Sequence, residues 1–401
     1  MNADPRAAST SPEDLGAILR RRHLPALDGL RAVAVFVVIA YHFFGAPIPG
    51  DLGVSAFFVL SGFLITWLLL KEYDADGTIS LRNFYTRRVL RIFPAYYFFI
   101  TVSFLIDYLR GDRWEGARGL SALFYVVNYY NAAHGHPSTS IAHAWSLGIE
   151  EQFYALWPLV LLMLIRRGRA HALGILAVVI AAVAAWRSFL YLDLGVGTPY
   201  VYNAFDTRFD NLAVGCFLAL GAGEPWLLRF ARAAARSTLL PLVTLVLLML
   251  SRCATSASYH YSVGFTVDAV LVSVLLVQLL FLHRHALWSW LEHPVARYLG
   301  VISYPLYLWH VWGLGVGKWL HVVPLAGQFA AGVAVCIAVA SASYFAIETP
   351  FLALKRRFSG GARIVPRSAS SPGGLVAAVR LSDACAPSGT HRAVAGVVSG
   401  D

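Results

Sequence analysis

The first apolar stretch of the chain, at roughly residues 27–46, is long enough to cross a bilayer but contains a cation and an imidazole, Arg31 and His42. Eleven residues at about 100° each return an α-helix to within about 20° of its starting face, roughly 16 Å further along the axis. A charged side chain inside a membrane costs at least a few kcal/mol, so it usually faces protein or a water-filled cavity. Arg31 alone could be a membrane-surface anchor and His42 alone a structural histidine, but together on one helix face they predict a functional site.

The remainder of the chain is also apolar. Of its 401 residues, 58% are hydrophobic and only 13% are charged, and the mean hydropathy is +0.62, whereas a soluble domain carries about 25% charged residues. These values predict an all-α, polytopic membrane bundle. About ten apolar runs could form transmembrane helices, at roughly 27–46, 52–70, 92–109, 153–165, 171–190, 211–223, 238–253, 264–282, 299–317 and 327–346.

The basic residues indicate the orientation of the bundle. With a cytoplasmic N-terminus, every strong basic cluster falls on the cytoplasmic side, as the positive-inside rule requires. The C-terminus is then cytoplasmic as well. This distribution also explains the formal net charge of +10 without nucleic-acid binding. The clusters are Arg20 to Arg22, Arg82 to Arg91, Arg166 to Arg169, Arg229 to Arg236, His283 to His285 and Lys355 to Arg357.

The composition divides the chain into three segments. Residues 1–23 are polar and lack the apolar core of a cleavable signal peptide, so the first apolar run is expected to direct membrane insertion. Residues 24–356 form the membrane domain, and residues 357–401, rich in Ser, Gly, Pro and Ala, are expected to be a disordered cytoplasmic tail. The orientation places residues 110–152 outside the cell, with 119–131 as a partly embedded loop. If 119–131 spans instead, all later helices invert.

Two adjacent carboxylates begin another membrane segment. The sequence HAWSLGIEEQFYALWP, residues 143–158, enters the membrane from the same side as His42, so Glu150 and Glu151 are predicted at about the depth of that imidazole. A histidine hydrogen-bonded to a carboxylate is a better general base. The pattern thus allows a His–Glu dyad, or it reflects acidic residues favoured at a helix start.

Three arginines precede the third apolar run in FYTRRVLRIFPAYY. Arg88 and Arg91 are three residues apart, with Arg87 beside them, and guanidinium groups in this arrangement can bind phosphate oxygens in a fork. Arg31 could extend this patch inward, so that a phosphate-bearing donor would dock from the cytoplasm. Lipid headgroups would use the same residues.

Other polar residues are embedded in the apolar runs, and each allows a structural or a functional interpretation. Small residues between 51 and 70 permit either close helix packing or passage of a slender ligand; they are Gly53, Ser55, Ser61, Gly62 and Thr66. Further along the chain, YPLYLWH carries Tyr307 and His310, and AIETP carries Glu348 as a salt-bridge partner or site residue. TRFDNLAVGCFLAL carries Arg208 and Asp210, as a structural ion pair or as a gate or acceptor contact. The four cysteines have no ligand-like spacing, so neither a disulfide framework nor a metal site is expected.

Seven blocks, in order, resemble the acyltransferase family 3 membrane acyltransferases over about residues 24–356. They are LDGLRAVAVFVVIAYH, GVSAFFVLSGFLITW, RRVLRIFPAYY, HAWSLGIEEQFYALWP, TRFDNLAVGCFLAL, LGVISYPLYLWH and SYFAIETP. The resemblance implies a ten-helix enzyme of the bacterial inner membrane. Such an enzyme moves an acetyl or other short acyl group from cytoplasmic acyl-CoA, with acetyl-CoA the expected donor, to a hydroxyl, often on a glycan.

The resemblance also implies roles for residues. His42 corresponds to the catalytic base, Arg31 to its signature partner, Glu150 to the acidic residue of the SLxxE block and Glu348 to the late ExP glutamate. The donor phosphates would dock on Arg31, Arg87, Arg88 and Arg91, and the thioester would extend along the small-residue path towards His42. The candidate substrate contacts are Ser61, Tyr307, His310 and Glu348. Direct transfer is preferred over an acyl-enzyme.

The acceptor is left open by the sequence. The serine-hydrolase-like domain of many relatives is not found in the chain, and single-module members acylate exopolysaccharides, lipid-linked glycans or macrolide-type natural products. A proton-coupled transporter using His42 and Glu150 is a competing hypothesis, although no inverted repeat supports it. A purely structural or sensory membrane protein is the third.

Overall fold

The all-α architecture is confirmed in a computed structural model of the protein, which describes residues 18, 24–46, 48–253 and 256–355. Over these ranges the chain forms helices, turns and loops and no strand. Apart from Ile18, the predicted N-terminal segment 1–23 lies outside the described residues. The predicted disordered tail at 357–401 does so as well.

Each of the ten predicted apolar runs contains a helix. Most of these helices extend beyond the apolar run itself, because aromatic and polar flanking residues continue the helical hydrogen bonding. The ten helices are α1 (Pro25–Phe44), α2 (Gly50–Asp76), α3 (Leu81–Leu109), α4 (Trp145–Ile165), α5 (Arg169–Ser188), α6 (Phe209–Gly221), α7 (Leu240–Cys253), α8 (Phe265–Leu282), α9 (Ser303–Trp319) and α10 (Leu325–Ser343).

The chain is a multi-pass membrane protein. Among the described residues, seven helices are long and apolar enough to cross a bilayer, namely α1 to α5, α8 and α10 with their short extensions. An eighth span results if α6 is counted with the helix Pro225–Ala234, which follows after a bend of 108°. α7 and α9 are shorter, at 14 and 17 residues. The ten-span topology and its orientation therefore stay predictions.

Glycines bring α2 into backbone contact with its neighbours. A Cβ added to Gly62 would lie 2.0 Å from the carbonyl oxygen of Leu212 in α6, and one added to Gly215 would lie 2.1 Å from that of Val59. Gly53 is also packed against α1, since a Cβ added to it would lie 2.6 Å from the carbonyl oxygen of Ala34. Close packing is thus the role of these glycines of the 51–70 segment.

The hydroxyl-bearing residues of α2 divide between packing and the site. Ser55 and Thr66 are fully buried. Ser55 Oγ lies 3.0 Å from the Asn211 amide, and Thr66 Oγ1 accepts a 2.8 Å hydrogen bond from the Trp157 indole. Ser61 differs, because its side chain lines a cavity described below.

The segment predicted as an outer, partly embedded loop is folded into two short helices, Gly116–Leu123 and Val127–Ala133. At eight and seven residues, neither can span a bilayer. The segment is held against α3 and α4, since Tyr125 stacks on Tyr96 with ring centroids 3.9 Å apart and Gln152 donates a 3.0 Å hydrogen bond to the Asn128 side chain.

Candidate active site

His42 lies in the last turn of α1 with its tautomer fixed by the helix itself. Its Nδ1 lies 2.9 Å from the carbonyl oxygen of Val38, one turn earlier. A carbonyl can only accept, so Nδ1 carries the proton and Nε2 presents a free lone pair. This is the form of imidazole that can remove a proton from a hydroxyl.

Two further histidines pack beside His42 and complete a histidine cluster of His42, His143 and His310. The His310 ring centroid is 4.6 Å from that of His42 and 4.8 Å from that of His143. His310 Nδ1 donates to the Tyr307 carbonyl at 2.6 Å and His143 Nε2 to the Leu308 carbonyl at 3.1 Å. Their other ring nitrogens are buried without a hydrogen-bond partner among the described residues. Backbone carbonyls therefore orient all three rings. Burial of ring nitrogens without hydrogen-bond partners costs desolvation free energy, and such unpaired groups are typical of a functional site.

The sequence alone did not single out His143, although it stands three residues before the SLxxE block. No group of three or more His, Cys, Asp or Glu side chains in the described part of the chain is placed to hold a metal ion.

His42 lines the larger of two neighbouring cavities, here called the wide cavity, with a volume of about 1330 Å³. Its wall combines aromatic rings with hydrogen-bonding groups, including those of Asp51, His136, Tyr202 and Tyr307. His136 belongs to a loop outside the membrane spans, where burial lowers the pKa of its imidazole. An aromatic cavity with a few placed polar groups is typical of a small-ligand site.

The second cavity, here called the arginine cavity, is smaller, at about 390 Å³. Three cationic and four acidic side chains line it, so their formal charges sum to −1. They are Arg31, Arg88, Arg91, Asp28, Glu150, Glu151 and Glu348.

Direct contacts organise the arginine cavity. Ser61 Oγ donates a 2.6 Å hydrogen bond to Glu150 Oε1, Arg31 Nε donates a 3.2 Å hydrogen bond to Ser303 Oγ, and the Arg88 guanidinium lies 4.9 Å from the centre of the Tyr154 ring. Glu348 is buried, and its Oε1 has no hydrogen-bond partner among the described residues. The predicted phosphate site and the predicted ExP glutamate therefore belong to one cavity.

Tyr307 and Val54 line both cavities. The Tyr307 hydroxyl donates to the His143 carbonyl at 2.7 Å and lies 2.7 Å from Ser146 Oγ. These two hydrogen bonds hold the ring at the boundary between the histidine cluster and the arginine cavity. Of the predicted substrate contacts, Tyr307 is thus the side chain placed between the two sites, and His310 contacts His42 itself.

The predicted depth of Glu150 and Glu151 is wrong. Both line the arginine cavity, and the hydrogen bond of Glu150 goes to Ser61 rather than to His42. His143 is the residue of this block at the level of His42. Because a helix rises 1.5 Å per residue, Glu150 lies roughly 10 Å deeper along the axis. The His–Glu dyad that the sequence allowed is absent from the described hydrogen bonds.

Arg87 is separated from the two arginines with which it was grouped. Its Nη2 lies 2.9 Å from Glu72 Oε2 of α2, and it does not line the arginine cavity. Arg87 and Arg88 are about 100° apart around α3, so only one of two neighbours can face the cavity.

The predicted ion pair between Arg208 and Asp210 is also wrong. Asp210 instead pairs with Arg187 of α5 at 3.0 Å, and both side chains are fully buried. Arg208 lies with its guanidinium 3.7 Å from the centre of the Phe265 ring. This is a cation–π contact inside a cage of aromatic side chains.

Comparison with known proteins adds to this geometry. A family model described as an acyltransferase domain matches residues 24–345. YrhL of Bacillus subtilis, named as a candidate peptidoglycan O-acetyltransferase, is 34% identical over 312 residues, covering 72% of this chain and 48% of the relative. The peptidoglycan O-acetyltransferase OatA of Listeria monocytogenes is 32% identical over 309 residues, covering 72% of this chain and 49% of the relative.

A Staphylococcus aureus protein named as a candidate O-acetyltransferase is 30% identical over 357 residues, covering 83% of this chain and 58% of the relative. The chain thus spans about half the length of the curated relatives it matches. No solved structure matches it significantly.

Proposed function

The chain belongs to the acyltransferase domain family whose model it matches, and from this membership we propose that it is a membrane O-acyltransferase. The donor is a cytoplasmic acyl-CoA, with acetyl-CoA as the first choice, and the acceptor is a hydroxyl of a cell-wall glycan. The relatives named as peptidoglycan O-acetyltransferases support a glycan over a macrolide-type acceptor. One observation carries the proposal. His42 lines one cavity, three arginines line the other, and the two cavities meet at Tyr307.

The proposed orientation has the N-terminus in the cytoplasm of a bacterial cell, with the protein in the inner (plasma) membrane. Helix α1 then begins on the cytoplasmic side, so Arg31 and the arginine cavity face the compartment that holds acyl-CoA. His42 and the wide cavity face outward, towards cell-wall glycans. The basic clusters support this orientation through the positive-inside rule.

The donor is proposed to bind through its phosphates to Arg31, Arg88 and Arg91, since guanidinium groups bind phosphate in fork geometry. The four carboxylates of the same cavity oppose an anionic donor, so the phosphates would stay at the mouth beside the arginines. The slender pantetheine arm would extend past Ser61 towards Tyr307. Along α1, Arg31 and His42 are separated by roughly 16 Å.

The proposed reaction needs one base. His42 Nε2 takes the proton of the acceptor hydroxyl, and the hydroxyl oxygen attacks the thioester carbonyl carbon. A C–O bond forms, the C–S bond breaks, and the departing CoA thiolate receives the proton from the His42 imidazolium. No acyl-enzyme is required, and the imidazole returns to its starting form.

Transfer of radiolabelled acetyl from acetyl-CoA tests this function. Membranes carrying wild type, His42→Ala or Arg31→Ala at matched expression are offered peptidoglycan fragments and macrolides, with His134→Ala as a control for loss of an exposed loop imidazole. We expect labelled glycan from wild type and His134→Ala, and at least a 100-fold loss in His42→Ala. Equal label in wild type and His42→Ala would remove His42 from the chemistry. Absence of label from every variant and acceptor would favour a proton-coupled transporter.

A further inference from the structure

His136, on the wall of the wide cavity, is held in a backbone conformation that most residues avoid. Its φ is +56°, in the left-handed region that disfavours any side chain with a Cβ. Pro137 follows it, and a residue before proline is normally extended. Gly135 immediately before it also has a positive φ, of +74°. A non-glycine residue kept in such a conformation at a cavity suggests that its side chain has a role there.

Buried polar groups fix the direction of the His136 imidazole. Asn203, fully buried, donates through Nδ2 to the Pro199 carbonyl at 2.7 Å, so its Oδ1 is the atom that faces His136 at 2.9 Å. That oxygen can only accept, so His136 Nδ1 is the donor and Nε2 is left with a lone pair. The backbone N–H of His136 is held too, by a 2.7 Å hydrogen bond to the Asn131 carbonyl.

The surroundings of the ring match the chemistry of a sugar. Tyr202 and Trp145, both of which line the wide cavity, meet the His136 ring edge to face at centroid distances of 5.7 and 6.5 Å. A pyranose offers an apolar face for aromatic rings and hydroxyl donors at its edge. His42, the proposed base, lines the same cavity.

We propose that His136 is a positioning residue for a saccharide acceptor, with Nε2 accepting a hydrogen bond from a sugar hydroxyl or from the N–H of an N-acetyl group. This inference rests on the proposed function, because it assigns the wide cavity to the acceptor. His136 forms no bond to the reacting atoms. It aligns the saccharide so that another hydroxyl reaches His42.

A backbone role alone is the competing explanation, and glycine separates the two. Glycine adopts a positive φ without steric cost, so His136→Gly relieves the backbone while it removes the imidazole and leaves Asn203 without this donor. These two effects on folding oppose each other, and the thermal unfolding midpoint is expected to stay near that of wild type. Any loss of saccharide binding then belongs to the imidazole.

Binding of chitotetraose, a soluble N-acetylglucosamine oligosaccharide, to the full chain in nanodiscs without donor tests the proposal by calorimetry. We expect His136→Gly to raise the Kd about five- to tenfold, the effect of one lost hydrogen bond. His136→Asn keeps an acceptor oxygen and tolerates the backbone, so it should recover part of the affinity. His134→Gly is the matched control, because His134 is exposed and is not part of the cavity wall.

An unchanged Kd in His136→Gly, an equal loss in His134→Gly, or no chitotetraose binding to wild type would each overturn the inference. The acetyl-transfer assay keeps the two proposals apart. Binding that depends on His136 without any transfer refutes the proposed function alone. Transfer to a saccharide with an acceptor KM that is the same in wild type and His136→Gly refutes the role of His136 alone.

Discussion

The Tyr307 hydroxyl donates a 2.7 Å hydrogen bond to the backbone carbonyl of His143, which ties the boundary of the two cavities to the histidine cluster. Because that proton is committed to the carbonyl, Ser146 Oγ, also at 2.7 Å, is the donor to Tyr307. The ring is buried and held from two directions. The large ring is therefore fixed in place between the two cavities and separates them.

Removal of the Tyr307 ring should join the cavities. We expect Tyr307→Ala to raise acetyl-CoA hydrolysis several-fold in the absence of an acceptor, since water in the wide cavity would reach the thioester. Tyr307→Phe keeps the ring and loses the hydroxyl, so it should cost about 1 kcal/mol of stability with little added hydrolysis. Release of free CoA, followed with a thiol reagent, measures the effect. Equal hydrolysis in the two variants would contradict a barrier role for the ring.

Two adjacent arginines give a matched pair for donor binding. Arg88 lines the arginine cavity, whereas Arg87 pairs with Glu72. We expect Arg88→Ala to raise the KM for acetyl-CoA about tenfold or more, because hydrogen bonds to charged groups contribute about 1.5 to 3 kcal/mol, and Arg87→Ala to change it less than about twofold. Initial rates over a range of acetyl-CoA concentrations decide the matter. A larger effect of Arg87→Ala would place the phosphates on the other face of α3.

The close crossing of α2 and α6 should tolerate no side chain at Gly62. The nearest atom to an added Cβ is a backbone oxygen, which cannot rotate away, so Gly62→Ala should destabilise the protein by about 1 to 3 kcal/mol or more. Gly174 in α5 has no atom within 4 Å of an added Cβ, and Gly174→Ala should be neutral or slightly stabilising. Unfolding midpoints in detergent compare the two. Similar midpoints would mean that the helices can separate without cost.

Burial lowers the pKa of His136, although its hydrogen bond with Asn203 acts in the opposite direction. The stability of the protein is therefore predicted to depend on pH. The ordinary histidine pKa is about 6.5, so as the pH falls through that value the unfolded chain takes up the proton first. The contribution of His136 to the free energy of unfolding is therefore fully present above about pH 6.5 and decreases as the pH falls below that value. Protonated Nε2 also cannot accept, so saccharide binding should weaken in the same direction.

Unfolding midpoints of wild type and His136→Gly between pH 7.5 and 5 test that sign. Wild type should lose more stability than the variant on acidification. Parallel curves, or a steeper loss in the variant, would show that His136 does not titrate in this way.

The helices and several cavity-lining residues could be predicted from the sequence because a membrane imposes two simple requirements. Apolar runs of spanning length must be helical, and polar residues inside them must face a cavity or each other. The 11-residue spacing therefore placed Arg31 and His42 correctly on α1, and the i, i+3 spacing correctly grouped Arg88 with Arg91.

Contacts between helices were not predictable in the same way. The partner of Asp210 is Arg187, 23 residues earlier on another helix, and no local spacing distinguishes it from Arg208 nearby. To predict the depth of Glu150, one must know the residue at which α4 begins. To infer the role of His136, one must know its φ angle.

The boundary at Tyr307 has a consequence for what must be carried across the bilayer. If donor and acceptor approach from opposite sides and meet there, the adenine nucleotide with its phosphates never leaves the cytoplasm. Only an uncharged acyl group of a few atoms passes the side chain, so the large solvation penalty of moving a polyanion through hydrocarbon is avoided. A cell with such a protein needs no separate exporter for activated acyl groups, because export and bond formation become one event.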